Sequence, residues 1–586
     1  MTELIARLKQ RKLVQWALAY IAFAFALIQV VDVVASQFGW PESLRRGVTL
    51  ALGVGFVVTL VIAWYHGEKG RQRVSGAELL LIALVLAIGG GVLWWFARVS
   101  STNGPDAAHR NPEVVAAAPA IPIPAKSVAV LPFVNMSGDP KNDYFSDGIT
   151  EEILDALAQI PNLKVAARTS AFAFKGKAED LRKVGEALDV ATVLEGSIQK
   201  SGDEVRITAQ LIDTRSGYHL WSEKYDRKLT SIFAVEDEIS KAIADKLQVQ
   251  LAGGSASTLV AQKTIDPRAH DFYLRGLTLL ASRSVAEAVK AFKQAVAIQP
   301  DYAQAWAALA EAQALLPDYG PTALKVANAD ALESAQRALV LNPDNALAYV
   351  AQGMVYGNQM RWADADRALQ HALVLAPGDA EALNQYAQFL DAIGQLQPAL
   401  NVLDRALQRD PLSGTSAMIR VQLRLVLHLD DPATAAAQTG DIVAAHPDSV
   451  FVHRTATLIY LNQHRYPEAE MQAREAATIT GTDPESKALL IRGMADPSLR
   501  ERAVQALETS PANSDLRRDA IVHALFLMHL NAPDRALAVL EAGATQSTIP
   551  QLLWHSEFNP VRNDPRFKAV LKKMGLPYTP KRSASA

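Results

Sequence analysis

DFYLRGLTLLASRSVAEAVKAFKQAVAIQP, residues 271–300, sets small residues at Gly276, Ala288 and Ala295, an aromatic ring at Phe292 and a proline at Pro300. The chain turns strongly helical from Asp266 onward, and the small residues stand where two paired helices have to come close. Proline ends the second of them, because it lacks an N–H and clashes with the preceding turn. Outward from this stretch prolines recur at Pro267, Pro300, Pro343, Pro377, Pro411, Pro447 and Pro484, separated by 33, 43, 34, 34, 36 and 37 residues.

A period near 34 residues, with two antiparallel helices per unit, is that of the tetratricopeptide repeat. The third unit repeats the marks as Gly353, Tyr356, Ala365, Ala372 and Pro377, and the fourth as Ala387, Ala399, Ala406 and Pro411. Repeats are therefore expected over 265–411, with an insertion in the second unit around 317–327. Beyond Pro411 the marks fade, so 412–586 reads as degenerate repeat-like helical pairs with a carboxyl-terminal cap. Such a solenoid has a concave face built mainly from the first helix of each pair. Repeat phase puts Tyr273, Asn358, Asn384, Gln388 and Asp391 on that face. The array predicts a groove that holds a protein or peptide partner through amide and carboxylate contacts. Taken singly, each of these residues is accounted for as ordinary solvated polarity, so the expectation rests on the array as a whole.

Upstream, 126–251 reads as a small α/β domain with helices on a mixed sheet. Ser127-Val128-Ala129-Val130-Leu131-Pro132-Phe133 is a short apolar run closed by proline. Tyr144 to Glu152 then leads into an amphipathic helix, with Ser146 or Asp147 as its cap and Glu151 and Glu152 in its first turn. Lys164–Arg168 reads as a second strand, and Leu181, Val184 and Leu188 mark a second helix. Three further strands are expected at Thr192–Ser197, Val205–Ile212 and Tyr218–Tyr225, and a third helix at Ile232–Leu251. Alternation of apolar and polar residues over Val205–Leu211 predicts a sheet with one covered face.

The blocks Val128–Phe133, Tyr144–Glu151, Leu194–Ser197 and Arg206–Asp213, continuing through Gly217 to Leu220-Trp221, resemble the TolB-like amino-terminal domain family of bacteria. The resemblance implies a non-catalytic domain, often set between a membrane segment and tetratricopeptide repeats. In many such proteins a nucleotide cyclase or a winged-helix DNA-binding module precedes the membrane segment. This sequence departs from that pattern, since only a short basic segment precedes its first apolar run. A signalling output is thus expected to come from a partner. The run from Phe558 to Phe567, followed by Val570 and Leu571, resembles the closing segment of TolB-like repeat proteins and is expected to cap the last apolar helix face.

At 586 residues the chain should hold several structural units. Its net charge of −3 gives no sign of a nucleic-acid partner. The absence of cysteine excludes disulfides, thiolate metal sites and a cysteine nucleophile. Three apolar runs, 14–34, 48–65 and 79–96, each approach the roughly 20 residues that span a bilayer. Arg7, Lys9, Arg11 and Lys12 before the first run, and Lys69, Arg71 and Arg73 between the second and third, put the amino terminus in the cytoplasm by the positive-inside rule. The expected fold class is therefore multidomain. Three transmembrane helices within 1–98 bind the lipid bilayer of a bacterial inner membrane, and an Ala/Pro-rich linker covers 99–125. The small α/β domain and an all-α solenoid then lie on the periplasmic side. Asp32, in the first run, reads as a proton site or as an interfacial carboxylate.

Signatures of catalysis are missing: there is no Walker phosphate loop, no His-Glu-x-x-His and no Gly-x-Ser-x-Gly. Asp139, Asp143 and Asp147 recur every four residues, but not at calcium-loop spacing, and loop polarity with helix capping accounts for them. His446, His453 and His464 fall at spacings that suit a helix surface. No catalytic, cofactor-binding or metal-binding residue, no cofactor and no enzyme activity are expected. The expected function is a membrane-anchored scaffold that binds a partner through the solenoid, with the TolB-like domain as a second interaction module. The alternative is a signal-transducing membrane subunit that senses an extracytoplasmic ligand and acts through a cytoplasmic partner. Oligomeric state is open at this stage.

Overall fold

The computed structural model describes residues 124–577, apart from 159, 161, 178, 230, 231, 248–264, 320 and 321. These residues lie in the second of the chain's two compact units, 121–586. Strand β1 (Ser127–Val130) is buried on both faces, as a parallel strand between two layers must be. Val128 and Val130 enter one apolar cluster and Ala129 the other. β1 pairs in parallel with β3 (Lys164–Val165) on one side and β4 (Thr192–Ser201) on the other, while the short β2 (Val134–Asn135) also pairs β4. Antiparallel β5 (Glu204–Asp213) and β6 (His219–Lys228) complete the order β3-β1-β4-β5-β6. β4 and β5 run further than the alternation alone implies, because Gly202 takes φ +60° and lets a two-residue loop carry the ladder to Ser201 and Glu204.

Helix α1 (Asp143–Ala158) covers one face of the sheet. The segment after β3 begins a short helix, α2 (Arg168–Phe172), where the sequence suggested that the strand continued. Helix α3 (Leu181–Leu188) packs Val184 and Leu188 on the opposite face. Helix α4 (Ile232–Lys246) returns beside α1 and buries Val235, Ile239 and Ile243.

The remainder is a mostly helical solenoid of paired tetratricopeptide-like helices. Its first units are α5 (Pro267–Ala281) with α6 (Val285–Ile298), α7 (Ala303–Tyr319) with α8 (Leu324–Leu341), α9 (Ala346–Asn358) with α10 (Trp362–Leu375), and α11 (Ala380–Ala392) with α12 (Leu396–Arg409). The expected insertion in the second unit is absorbed as longer helices of 17 and 18 residues, the first keeping Pro317 inside it. Helix pairing continues past Pro411 with α13 (Gly414–Val426), α14 (Pro432–Ala445), α15 (Val450–Asn462) and α16 (Tyr466–Thr480). Two local devices persist where the sequence marks fade. Asn345, Asp379, Ser413 and Ser449 each cap the first helix of a unit by accepting from the amide three residues on. Arg283, Met360, Gly394, His428 and His464 each take positive φ in the turn between the two helices of a unit.

After further helices the chain closes with Trp554, Phe558 and Phe567 buried, the two phenylalanine rings stacked 5.7 Å apart. This cap does more than cover the final helix. The Trp554 indole N–H donates to the Asp391 carbonyl at 2.7 Å, and the Trp362 indole N–H donates to the Met574 carbonyl at 2.8 Å. The cap thereby returns to the third and fourth units.

The fold class expected from the sequence needs one correction. Among the described residues no helix is long and apolar enough to cross a membrane. Even the 18-residue α8 interleaves charged and amide side chains with its alanines. The structure is a mostly helical solenoid carrying a small α/β sheet. It does not support three transmembrane helices, nor the bilayer contact and inner-membrane placement with periplasmic repeats that rested on them. The runs at 14–34, 48–65 and 79–96, Asp32 and nearly all of the linker lie outside the described residues.

Close helix approach makes a test of the repeat packing. A Cβ on Gly276 would stand inside the Phe292 ring, and one on Gly353 would meet the Leu369 side chain, whereas a Cβ on Gly357 meets nothing within 4 Å. In an unobstructed helix Gly→Ala stabilises by up to about 1 kcal/mol, but overpacking a core costs about 1–3 kcal/mol. Gly276→Ala is therefore expected to lower the thermal midpoint, and Gly357→Ala to hold or raise it, in melts followed by circular dichroism.

Candidate functional site

The inner faces of the repeats, together with α1 and α2, line a partly open cavity of about 3240 Å³. Helices α1 and α2 form one wall, and the first helices of successive units form the others. Tyr273, Asn358, Asn384, Gln388 and Asp391 all line it. Their surroundings differ. Tyr273 is 7% exposed and packs its ring against Tyr302 at 5.1 Å and Phe292 at 6.0 Å, so it belongs to the wall's core more than to its surface. Asn384 is also 7% exposed and accepts from the Ser416 hydroxyl at 3.2 Å. Asn358 donates to the Asn328 carboxamide at 3.3 Å, which ties it to the neighbouring unit. Gln388 and Asp391 are half-buried on α11.

The cavity is rich in carboxylates that repeat phase alone did not select. Glu151 and Asp155 come from α1, Glu311 from α7, and Asp379 and Glu381 from the start of α11. Enclosure pushes Glu311 up to about 8, and the negative charges of Glu381, Asp379 and Glu151 add to it against the pull of Arg283. Burial likewise pushes Asp391 up to about 8. Asp155, whose side chain stays exposed on the cavity lining, is raised by desolvation within the cavity and then by Glu151, Asp379 and Glu311, so it feels carboxylates from two other elements across the space. Glu151 is raised by burial and steadied by the Arg168 guanidinium at 2.7 Å. A signal for one of these carboxylates was present in the sequence. Glu311, Met354 and Gln388 occupy one repeat phase, spaced by the same 43 and 34 residues that separate Pro300, Pro343 and Pro377. Glu151 and Asp155 lay beyond reach, because nothing local shows that α1 faces the array.

The wall formed by α1 is fixed by a seam with α5. A Cβ on Gly148 would come within 2.6 Å of Leu274, so only glycine allows this approach. Glu152 and His270 meet across the seam at 2.9 Å with both side chains nearly buried. At its rim Asp271 accepts from the Tyr144 hydroxyl and pairs with Arg275 at 3.0 Å and Lys200 at 3.4 Å. The aspartates that had suggested calcium have other roles. Asp139 caps a short turn at Lys141, Asp143 accepts from Asn135, and Asp147 pairs with Lys175 at 2.5 Å. Among the described residues no group of three or more His, Asp or Glu side chains is placed to hold a metal ion. His453 is buried and bonded to Gln472 and the Pro447 carbonyl, and His464 lies beside Tyr466, so these two serve packing within their own units.

No protein-family model matches the chain. The putative adenylate cyclase 3 of Rhizobium meliloti (strain 1021) is 43% identical over 210 residues, covering 35% of this chain and 36% of that relative. The chain thus spans about a third of the curated relative's length. Solved structures with similarity include a tetratricopeptide repeat protein from Parabacteroides merdae, 14% identical, with a TM-score of 0.31 over 45% of this chain and 100% of that one. The tetratricopeptide repeat protein YrrB, described as having an unusual peptide-binding site, is 19% identical, with a TM-score of 0.23 over 33% of this chain and 93% of that one. Pseudomonas aeruginosa pilF is 18% identical, with a TM-score of 0.27 over 40% and 96%. At such scores the likeness adds little to the repeat assignment, which stands on the helix pairs themselves.

The raised Glu311 carboxyl has a consequence for stability. A carboxyl whose folded value exceeds its unfolded one favours folding below the unfolded value, and that contribution is lost as pH rises through the folded value. For Glu311 the window runs from 4.5 to about 8. Glu311→Gln should match the parent at pH 4.5 and exceed it at pH 9 by on the order of 1 kcal/mol, allowing for water in the cavity. Thermal melts at the two pH values read this difference directly.

Proposed function

We propose that the chain is a non-catalytic scaffold whose repeat array holds an extended segment of a partner protein inside the cavity. One observation carries the reading. The residues singled out by repeat phase lie on the lining of a single cavity together with carboxylates from α1, α7 and α11. Carboxamides such as Asn384 and Gln388 can pair with the N–H and C=O groups of an extended peptide, which offers both at every residue. Asp155, Glu311 and Asp391 form no ion pair within 4 Å among the described residues, and a cation would offset the desolvation of all three and the repulsion that Asp155 and Glu311 feel from the neighbouring Glu151 and Asp379. The preferred partner segment is therefore basic. In this proposal the α/β sheet, with its resemblance to TolB-like domains, is a second interaction module that also shapes one wall of the cavity.

The test is selection of short peptides from a randomised display library on the full chain, followed by calorimetry on the winners. Enrichment of lysine- and arginine-containing sequences is expected. Asn384→Ala with Gln388→Ala should weaken binding about tenfold or more, as loss of several hydrogen bonds to a charged or polar ligand implies. Affinity should rise between pH 7 and pH 9 as Glu311 and Asp391 ionise, and should fall with added salt. Peptides that bind equally well to the doubly substituted chain would place the binding surface elsewhere.

A further inference from the structure

Among the described residues β6 ends the sheet, so the outward N–H and C=O groups of a ten-residue strand stand ready for pairing. The opposite edge, β3, is two residues long and offers little to pair with. From Trp221 to Lys228 β6 keeps an unbroken register with β5, and the irregularity at Leu211 and Ile212 falls at its start. Edges of this length are commonly blunted by proline, by a bulge or by charge. Over Trp221–Lys228 the strand has neither of the first two and relies on charge.

Side chains alternate across a strand, which sorts these charges by face. Trp221, Tyr225 and, just past the strand, Leu229 pack against the apolar cluster under the helical layer. Glu223 and Arg227 lie on that same side. Glu223 accepts from the Tyr225 hydroxyl at 3.2 Å, and Arg227 pairs with Glu238 of α4 at 3.1 Å. Ser222, Lys224, Asp226 and Lys228 are exposed on the other face, where Asp226 pairs with Arg206 of β5 at 2.6 Å. Each face thus carries one acid and one base placed symmetrically about Tyr225: Glu223 and Arg227 on one, Lys224 and Asp226 on the other.

We infer that β6 is an interface between two copies of this chain, paired antiparallel about a two-fold axis at Tyr225 so that the two sheets continue as one. In that register Glu223 stands opposite the second copy's Arg227 and Lys224 opposite its Asp226, and the two-fold makes each pair twice. Trp221 then comes opposite Leu229, so apolar side chains flank the ion pairs on the helical side. A shift to either neighbouring register of the same symmetry removes this match. One sets Lys224 against Lys224; the other sets Asp226 against Asp226 and Lys224 against Lys228. Charges that discourage pairing with unrelated strands therefore leave one register open to an identical strand. The sheet's proposed role as an interaction module gains a partner in this way, and the inference stands on the strand edge rather than on the cavity.

Two charge variants of the full chain test the register. In a dimer Lys224→Glu sets like charges against Asp226 twice, and Asp226→Lys sets them against Lys224 twice. Each should raise the dimer dissociation constant about tenfold in sedimentation equilibrium. An equimolar mixture of the two should recover most of the parent's affinity, because each copy then supplies the charge that the other lacks. The chain contains no cysteine, so introduced thiols give a second readout. Lys224→Cys mixed with Asp226→Cys should yield a disulfide-linked dimer under mild oxidation. Either alone should not, since its two thiols stand diagonally across the pair and beyond disulfide reach. The thiol pair carries the test if a charge variant fails to melt cooperatively. A chain that stays monomeric and forms no mixed disulfide would overturn the interface, as would a dimer whose affinity is unchanged by Lys224→Glu. No peptide enters these measurements, so failure of the proposed partner binding would show separately, in the display selection.

Discussion

The seam of α1 on α5 is the contact on which the rest of this structure depends. A solenoid has two terminal faces, and each exposes an apolar stripe that must be covered. Here the first stripe is covered by the α/β sheet through an approach that Gly148 alone permits, with Leu274 filling the space a side chain would take. Glu152 and His270 are buried together in the same seam. A buried polar pair adds little net stability but is costly to misplace, which fixes the register of the two helices. Once that register is set, Glu151 and Asp155, on the next faces of α1, look into the concave side of the array.

The other end is covered by the segment from Trp554 to Met574. Trp554, Phe558 and Phe567 cover the final pair, and two indole hydrogen bonds reach back to the third and fourth units. Walls at both ends deepen the groove into a partly open cavity, and this changes the electrostatics. Burial pushes both Glu311 and Asp391 up to about 8, and at Glu311 the nearby Glu381, Asp379 and Glu151 add to it. The carboxylate-rich cavity and the proposed preference for a basic segment both follow from this arrangement.

Some of this was legible in the sequence for physical reasons. The 34-residue interval is imposed by helix pairs that must stack identically, so Gly276, Ala288, Phe292 and Pro300 announce it without any tertiary information. The phase of a residue within the interval also reports which way it points, and this is how Asn384, Gln388 and Asp391 could be put on the cavity lining. Phase does not report depth, and Tyr273 shares its wall with Phe292 and Tyr302 as core. The α2 segment was missed because Arg168–Phe172 is too short for helical periodicity to stand out from the strand before it. The three apolar runs at the amino end invited a membrane reading by their length and by the basic residues that flank them, and they lie outside the described residues. Among the described residues, the helices pack on the sheet or in the repeats, and none is long and apolar enough to cross a membrane.

The sequence by itself determined the repeat and the small alternating sheet, because both are set by contacts between residues close in the chain. It determined too that no cysteine chemistry is possible. Tertiary structure alone decided that α1 walls the cavity, that the cap returns to Asp391 and Trp362, and that Ser170 meets Asp410 across 240 residues. Those contacts join surfaces that are each acceptable when exposed. Only the stacking of several repeat units in succession brings them together, and the curvature that results is a sum over many small packing angles that no single stretch of sequence records.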